Sequence, residues 1–173
     1  PERTVTLTDT GDELFDAVQT DFATFILPEG VDNIIGNFGF GVVRAQTLIG
    51  NSTVNQMSDG LLDDTLRGME GDDTLISSYG NDTLDGGDGD DRFVIAAAAE
   101  ARSITIIETE GGGIDTVETD LAEYALGENL EKLYSTVTDP SVAGQALTGN
   151  DLDNEIKGGA AFDTLSGGLG NDT

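Results

Sequence analysis

Asp64, Asp73, Asp82 and Asp91 recur every nine residues, and each is followed two places later by a large apolar residue: Leu66, Leu75, Leu84 or Phe93. Asp163 with Leu165, and then Asp172, repeat the pattern near the C-terminus. Glycines crowd the intervening positions, at Gly68, Gly71, Gly80, Gly87, Gly89, Gly168 and Gly170. Evenly spaced carboxylates among glycine-rich turns suit the capture of a hard divalent cation. Glycine admits dihedrals that aim turn carbonyls inward, and calcium accepts six to eight oxygens at about 2.3–2.6 Å. Acid–base catalysis fits less well, because no carboxylate pair differs from its repeats and the chain has no histidine. A flexible Gly/Asp linker would not keep an apolar residue in fixed phase with every aspartate.

The element that must position these groups is a turn of six residues followed by a strand of three. Two such nonapeptides close a coil of 18 residues, and coils stack about 4.8 Å apart, the spacing of paired strands. Turns two repeats apart then share an edge. Asp64 and Asp82 are expected to bracket ions on one edge and Asp73 and Asp91 on the other. Carbonyls of Gly68, Gly71, Gly80, Gly87 and Gly89 would complete the shells, with Gly168 and Gly170 doing so near the C-terminus. Asp172 is expected over Asn154, which offers only a neutral oxygen, while Asp163 waits for a further turn. Asp72 and Asp90 are expected to face solvent.

Departures from the pattern limit the number of ions. Leu62 and Ala161 replace the fourth-position glycine, Ser77-Ser78 replaces the leading pair, and Asn55 and Asn154 stand in the aspartate place. Asparagine turns can be closed by amide hydrogen bonds without an ion, so several ions are expected but fewer than there are turns.

The pattern Gly-Gly-x-Gly-x-Asp-x-U-x, with U a large apolar residue, resembles that of the RTX (repeats-in-toxin) calcium-binding proteins. It is strongest over Gly68 to Val94 and Gly158 to Thr173, about a quarter of the chain. The resemblance implies an all-β fold, a right-handed parallel β-roll or β-solenoid with calcium in its turns and little or no helix. It also implies export, typically by type I secretion, and folding outside the cell.

A second repeat is superimposed. Sliding residues 1–74 onto 100–173 without a gap makes 24 of the 74 pairs identical, among them Val18/Val117, Asp21/Asp120, Asn55/Asn154 and Asp73/Asp172. Arrays of such units stack as solenoids, so further copies in the same or neighbouring chains are expected. The organisation reads as a strand-rich spacer at 1–49, a nonapeptide block at 50–94, a second spacer at 95–148 and a second block at 149–173. The 99-residue spacing also resembles the repeat regions of very large bacterial RTX adhesins and surface proteins. Strands are expected within the spacers at Thr4 to Leu7, Leu14 to Thr20, Val31 to Ile35, Arg92 to Ala96, Ser103 to Glu108, Asp115 to Thr119 and Leu130 to Thr136, where Ile, Val, Thr and aromatics cluster. Only Ala96 to Ala101 could make a helical turn.

Charge narrows the function. Thirty-four acidic side chains against 7 basic ones give a net charge of −27. Repulsion on that scale opposes compaction unless cations relieve it, and it disfavours nucleic acid or anionic membranes as partners. There is no cysteine to supply disulfides, and no apolar run long enough to span a bilayer. Two classes of function remain. One is a non-catalytic structural repeat of a secreted bacterial protein, such as an adhesin, surface layer, sheath or filament. The other is the calcium-folding module of a secreted hydrolase or epimerase whose catalysis is encoded elsewhere.

Overall fold

The computed structural model describes residues 16–36, 44–96 and 102–173. Among these the chain forms sixteen short strands and no helix. They are β1 (Ala17–Gln19), β2 (Thr24–Ile26), β3 (Asn33–Ile35), β4 (Thr47–Ile49), β5 (Gln56–Ser58), β6 (Thr65–Glu70), β7 (Thr74–Ser77) and β8 (Thr83–Asp88). The second half adds β9 (Arg92–Ile95), β10 (Thr105–Ile107), β11 (Thr116–Thr119), β12 (Glu123–Ala125), β13 (Lys132–Ser135), β14 (Ala146–Thr148), β15 (Glu155–Lys157) and β16 (Thr164–Ser166). Odd-numbered strands form one parallel sheet from β1 to β15. Even-numbered strands form the opposite wall, one sheet running β2 to β10 and another β12 to β16. This is a parallel β-roll in which each coil contributes one strand to each wall.

The nonapeptide fixes the register. Thr47, Thr65 and Thr83 pair in succession, as do Gln56, Thr74 and Arg92, so one coil is two nonapeptides. Because strand side chains alternate between faces, the apolar residue two places after each aspartate always points between the walls. Val18, Ile34, Met57, Leu75, Phe93, Val117, Leu133 and Ile156 form a single file down the odd wall. Leu48, Leu66 and Leu84 do the same opposite, with Phe25 and Ile106 as partly buried neighbours. Leu66, Leu75, Leu84 and Phe93 are wholly buried, each worth about 1.5–3 kcal/mol over exposure. Leu165, on the outermost strand of its sheet, keeps 47% of its surface exposed.

The spacers belong to the same walls and change only the coil length. Six pairs of strand starts lie 99 residues apart: Ala17/Thr116, Thr24/Glu123, Asn33/Lys132, Thr47/Ala146, Gln56/Glu155 and Thr65/Thr164. The expected spacer strands appear as β1, β3, β9, β10, β11 and β13, trimmed at their ends, while Thr4 to Leu7 and most of Ala96 to Ala101 lie outside the described residues. Sequence patterning missed β2, β4, β12 and β14. β2 and β12 each have one partly buried aromatic, Phe25 or Tyr124, between exposed neighbours, too short a signal to read.

Candidate metal centre

The turns that lead into the odd-numbered wall define a first edge of the roll, and those that lead into β4, β6, β8, β10, β14 and β16 define a second. On the first edge the sixth-position carboxylates of Asp73, Asp91, Asp115, Glu131 and Asp172 accept a hydrogen bond from the backbone of the turn one coil earlier. The Asn55 amide donates to Asp73 Oδ1 (2.7 Å), Asp73 to Asp91 Oδ1 (2.7 Å), Asp91 to Asp115 Oδ1 (2.8 Å) and Asp115 to Glu131 Oε2 (2.9 Å). Asp172 lies over Asn154, whose amide donates to its Oδ1 at 3.0 Å. These contacts use one carboxylate oxygen per residue. The other oxygen of Asp73 and of Asp91, although buried, accepts no hydrogen bond.

The second residue of each turn decides the fate of that remaining oxygen. In turns 50–55, 59–64, 149–154 and 158–163 the second-position amide folds back on the sixth side chain. Asn51 donates to Asn55 Oδ1 (2.8 Å), Gly60 to Asp64 Oδ2 (2.7 Å), Asn150 to Asn154 Oδ1 (2.7 Å) and Gly159 to Asp163 Oδ2 (2.8 Å). Turns 68–73, 86–91 and 167–172 instead hold that residue in the left-handed region, at Met69 (φ 92°), Gly87 (φ 107°) and Gly168 (φ 100°). All three also have a left-handed fourth residue, Gly71, Gly89 or Gly170. A side chain at Gly87 would start 2.0 Å from the Met69 carbonyl, so this backbone is both twisted and tightly stacked.

The first edge gathers most charge above turn 86–91. Carboxylate oxygens of Asp91, Glu108 and Asp115 lie within 4.8 Å of one another. Asp91 and Asp115 are 1% exposed, and neither oxygen of Glu108 has a hydrogen-bond partner. Glu108 follows β10 and stands one coil beyond Gly86, where the missing side chain leaves room: a Cβ there would lie 2.2 Å from Asp91 Oδ2 and 2.3 Å from Glu108 Oε1. Burial, reinforced by the neighbouring carboxylates, pushes Glu108 up to about 8, and it pushes Asp91 and Asp73 to about 7 and Asp115 to about 6 against the backbone hydrogen bonds that these three aspartates accept. A buried all-oxygen set with uncompensated charge fits a hard cation. Two ligands on opposite sides of calcium at about 2.4 Å would stand about 4.8 Å apart.

The second edge has the same stacking and different chemistry. Gln46 donates to Asp64 Oδ1 (2.7 Å) and Asp64 to Asp82 Oδ1 (2.8 Å), while Gln145 donates to Asp163 Oδ1 (2.7 Å). Asp82 Oδ2 accepts from Ser77 Oγ at 2.7 Å and pairs with Arg102 at 3.6 Å. Both oxygens of Asp64, Asp82 and Asp163 thus have donors from the protein. Of the residues expected to ligate, Asp73, Asp91 and Asp172 stand on the first edge with Gly68, Gly71, Gly87, Gly89, Gly168 and Gly170 in their turns. Asp64, Asp82, Asp163 and Gly80 stand on the second, and the Asn154 amide group is engaged by Asn150 and by the Leu130 carbonyl (3.0 Å). Asp72 and Asp90 face solvent.

Glu108 and Asp115 were not among the expected ligands. Asp115 carried a legible signal, since Asp115-Thr116-Val117 repeats the Asp-Thr-apolar step of Asp64-Thr65-Leu66, Asp73-Thr74-Leu75 and Asp82-Thr83-Leu84. Glu108 carried none, because its place over Gly86 depends on the pairing of β10 with β8.

Comparisons with known proteins bear on the same segments. The RTX calcium-binding nonapeptide repeat matches residues 59–93 and 148–173, in four copies. No curated protein and no solved structure matches the chain. Repeats of this family bind calcium and are generally non-catalytic. With its periodicity realised as an all-parallel roll, the chain carries RTX-type calcium-binding repeats over residues 59–93 and 148–173.

Proposed function

We propose that this chain is a non-catalytic structural repeat of a secreted bacterial protein, an adhesin, sheath, filament or surface-layer component, that folds on calcium outside the cell. The observation that carries the reading is the buried oxygen set of Asp91, Glu108 and Asp115, which has too few protein donors to remain charged without a cation. Ions would sit along the first edge, between Asp73 and Asp91 and between Asp91, Glu108 and Asp115, with Asp172 supplying the corresponding place one unit on. Carbonyls of the left-handed turns would complete the shells.

Location follows from the same electrostatics. A chain with a net charge of −27 stays expanded where calcium is scarce and collapses where it is plentiful, so binding and folding are one event. RTX proteins are typically secreted, and no helix among the described residues is long and apolar enough to cross a membrane. The 99-residue recurrence of strand positions supports an array in which further copies, in the same or neighbouring chains, continue both walls. The acidic surface leaves nucleic acid and anionic membranes without a complementary patch.

Circular dichroism of the chelated chain during calcium titration, with magnesium as control, tests the reading. Strand signal should be weak in chelator, rise cooperatively with calcium and respond poorly to magnesium, which prefers a tighter octahedral shell. Equal strand content in chelator and calcium would overturn it.

A further inference from the structure

Among the described residues, Arg102 is the basic side chain that the stack takes inside. Its side chain is 4% exposed, whereas Arg67, Arg92 and Lys157 are 45–61% exposed in their ion pairs. It enters the second edge beside turn 77–82, the turn in which Ser77-Ser78 replaces the leading glycine pair. Its guanidinium donates to Ser77 Oγ (2.9 Å), to the Ser77 carbonyl (3.0 Å) and to the Ala96 carbonyl, and Nη1 lies 3.6 Å from Asp82 Oδ2. The recipients are two carbonyls, a hydroxyl and a carboxylate, an oxygen-only set of the kind a hard cation gathers. Asp59, 0% exposed, lies alongside Asp82; its Oδ2 takes the Ser78 amide at 2.8 Å, while its buried Oδ1 has no hydrogen-bond partner.

The position has two further marks. The next coil has no sixth-position carboxylate on this edge: β10 pairs with β8 so that Ile104 stands where an aspartate would follow Asp82. The aspartate ladder therefore ends at Asp82, and a cation arrives in its place. In the 99-residue register, moreover, Arg102 coincides with Arg3, in a chain with only 7 basic residues.

We infer that Arg102 is a covalently attached stand-in for a metal ion, closing the second edge of the nonapeptide block at Ser77, Asp82 and Ala96 so that Asp82 needs no calcium. The block then has one edge whose closure waits for an ion and one that carries its own cation. Ser77 belongs to the same arrangement, since its hydroxyl serves both Asp82 and Arg102 where glycine would serve neither. The inference rests on the proposed calcium binding of the first edge, and the unaltered chain provides the control that separates the two.

Calcium uptake of the full chain, counted by equilibrium dialysis alongside the dichroism midpoint, tests it with three variants. Arg102→Gln removes the charge and should bind one ion more than the unaltered chain, with a calcium midpoint raised about tenfold. Arg102→Lys keeps the charge and should bind the unaltered number. Should Arg102→Gln fold poorly, the triple variant Ser77→Gly, Ser78→Gly, Arg102→Gln restores a Gly-Gly-x-Gly-x-Asp turn and should fold in calcium with the additional ion. An unchanged ion count in both neutral variants overturns the inference, as does failure of both to fold in excess calcium. If the unaltered chain binds no calcium, the proposed function falls and takes this inference with it; if it does bind but the count never rises, only the stand-in role of Arg102 falls.

Discussion

The two edges of this roll are built from the same nine-residue phrase and solve the same electrostatic problem in opposite ways. Each stacks aspartates one coil apart and uses one oxygen of each to accept a backbone amide. On the second edge the remaining oxygens of Asp64, Asp163 and Asp82 go to Gly60, Gly159, Ser77 and Arg102, and Asp59 Oδ1 has no donor. On the first, Asp73 and Asp91 keep an oxygen with no donor and Glu108 keeps two. The lesson is that an aspartate in the right phase does not make an ion site. The site also needs its second-position peptide turned away, which a left-handed residue achieves and a neighbouring hydrogen bond prevents.

The widest separation is expected from pH in chelator. Asp73 and Asp91 near 7 and Glu108 near 8 lie above their ordinary values of 3.8 and 4.5, so the folded chain binds these protons more tightly than the unfolded one. Their contribution to stability is complete below pH ~4 and is lost as pH climbs through about 7 to 8. Strand signal in chelator, present near pH 5, should therefore be lost between pH 5 and 8. Excess calcium should shrink that loss to the part owed to Asp59 on the second edge, which burial also pushes to about 8, because ions replace the first-edge protons; a decline of equal size with calcium present would erase the distinction between the edges.

Next in size is Gly87→Ala. It forces an L side chain to φ 107° and into the Met69 carbonyl, at about 3 kcal/mol or more, measured by urea unfolding in calcium. Asp91→Asn against Asp64→Asn then compares the edges directly. Asp91→Asn should raise the calcium midpoint about tenfold yet stabilise the chain in chelator, where a buried charge has been removed. Asp64→Asn should cost about 1 kcal/mol for one lost hydrogen bond, measured in excess calcium, with no gain of strand signal in chelator. Matching responses would mean that both edges, or neither, take ions. The smallest effect is expected from Met69→Gly. Relief of about 1–3 kcal/mol of left-handed strain outweighs the flexibility cost of about 0.5–1 kcal/mol, and Met69 is half exposed, so stability should rise by about 1 kcal/mol.

Much of this was legible in the sequence. Nine-residue phasing of Asp64, Asp73, Asp82 and Asp91 fixed the 18-residue coil, the sharing of edges and the inward file of Leu66, Leu75, Leu84 and Phe93. What phasing does not encode is which way a peptide faces: Gly60 and Gly87 are both second-position glycines, and one folds back on its aspartate while the other turns away. Nor does it encode coil length in the spacers, on which the meeting of Glu108, Asp115 and Asp91 depends. Arg102 was invisible for the same reason, because its neighbours Ser77 and Asp82 come from the coil before it.

The unbroken odd-numbered wall has a mechanical corollary. β1 and β15 lie at its two ends, so tension along the chain loads the backbone hydrogen bonds between coils end-on and peels the roll from its tips. Each released coil exchanges about 5 Å of height for about 60 Å of slack, which makes the roll a store of extensible length. Single-molecule stretching should show steps of that size, at forces that rise where calcium clamps one side of the nonapeptide coils.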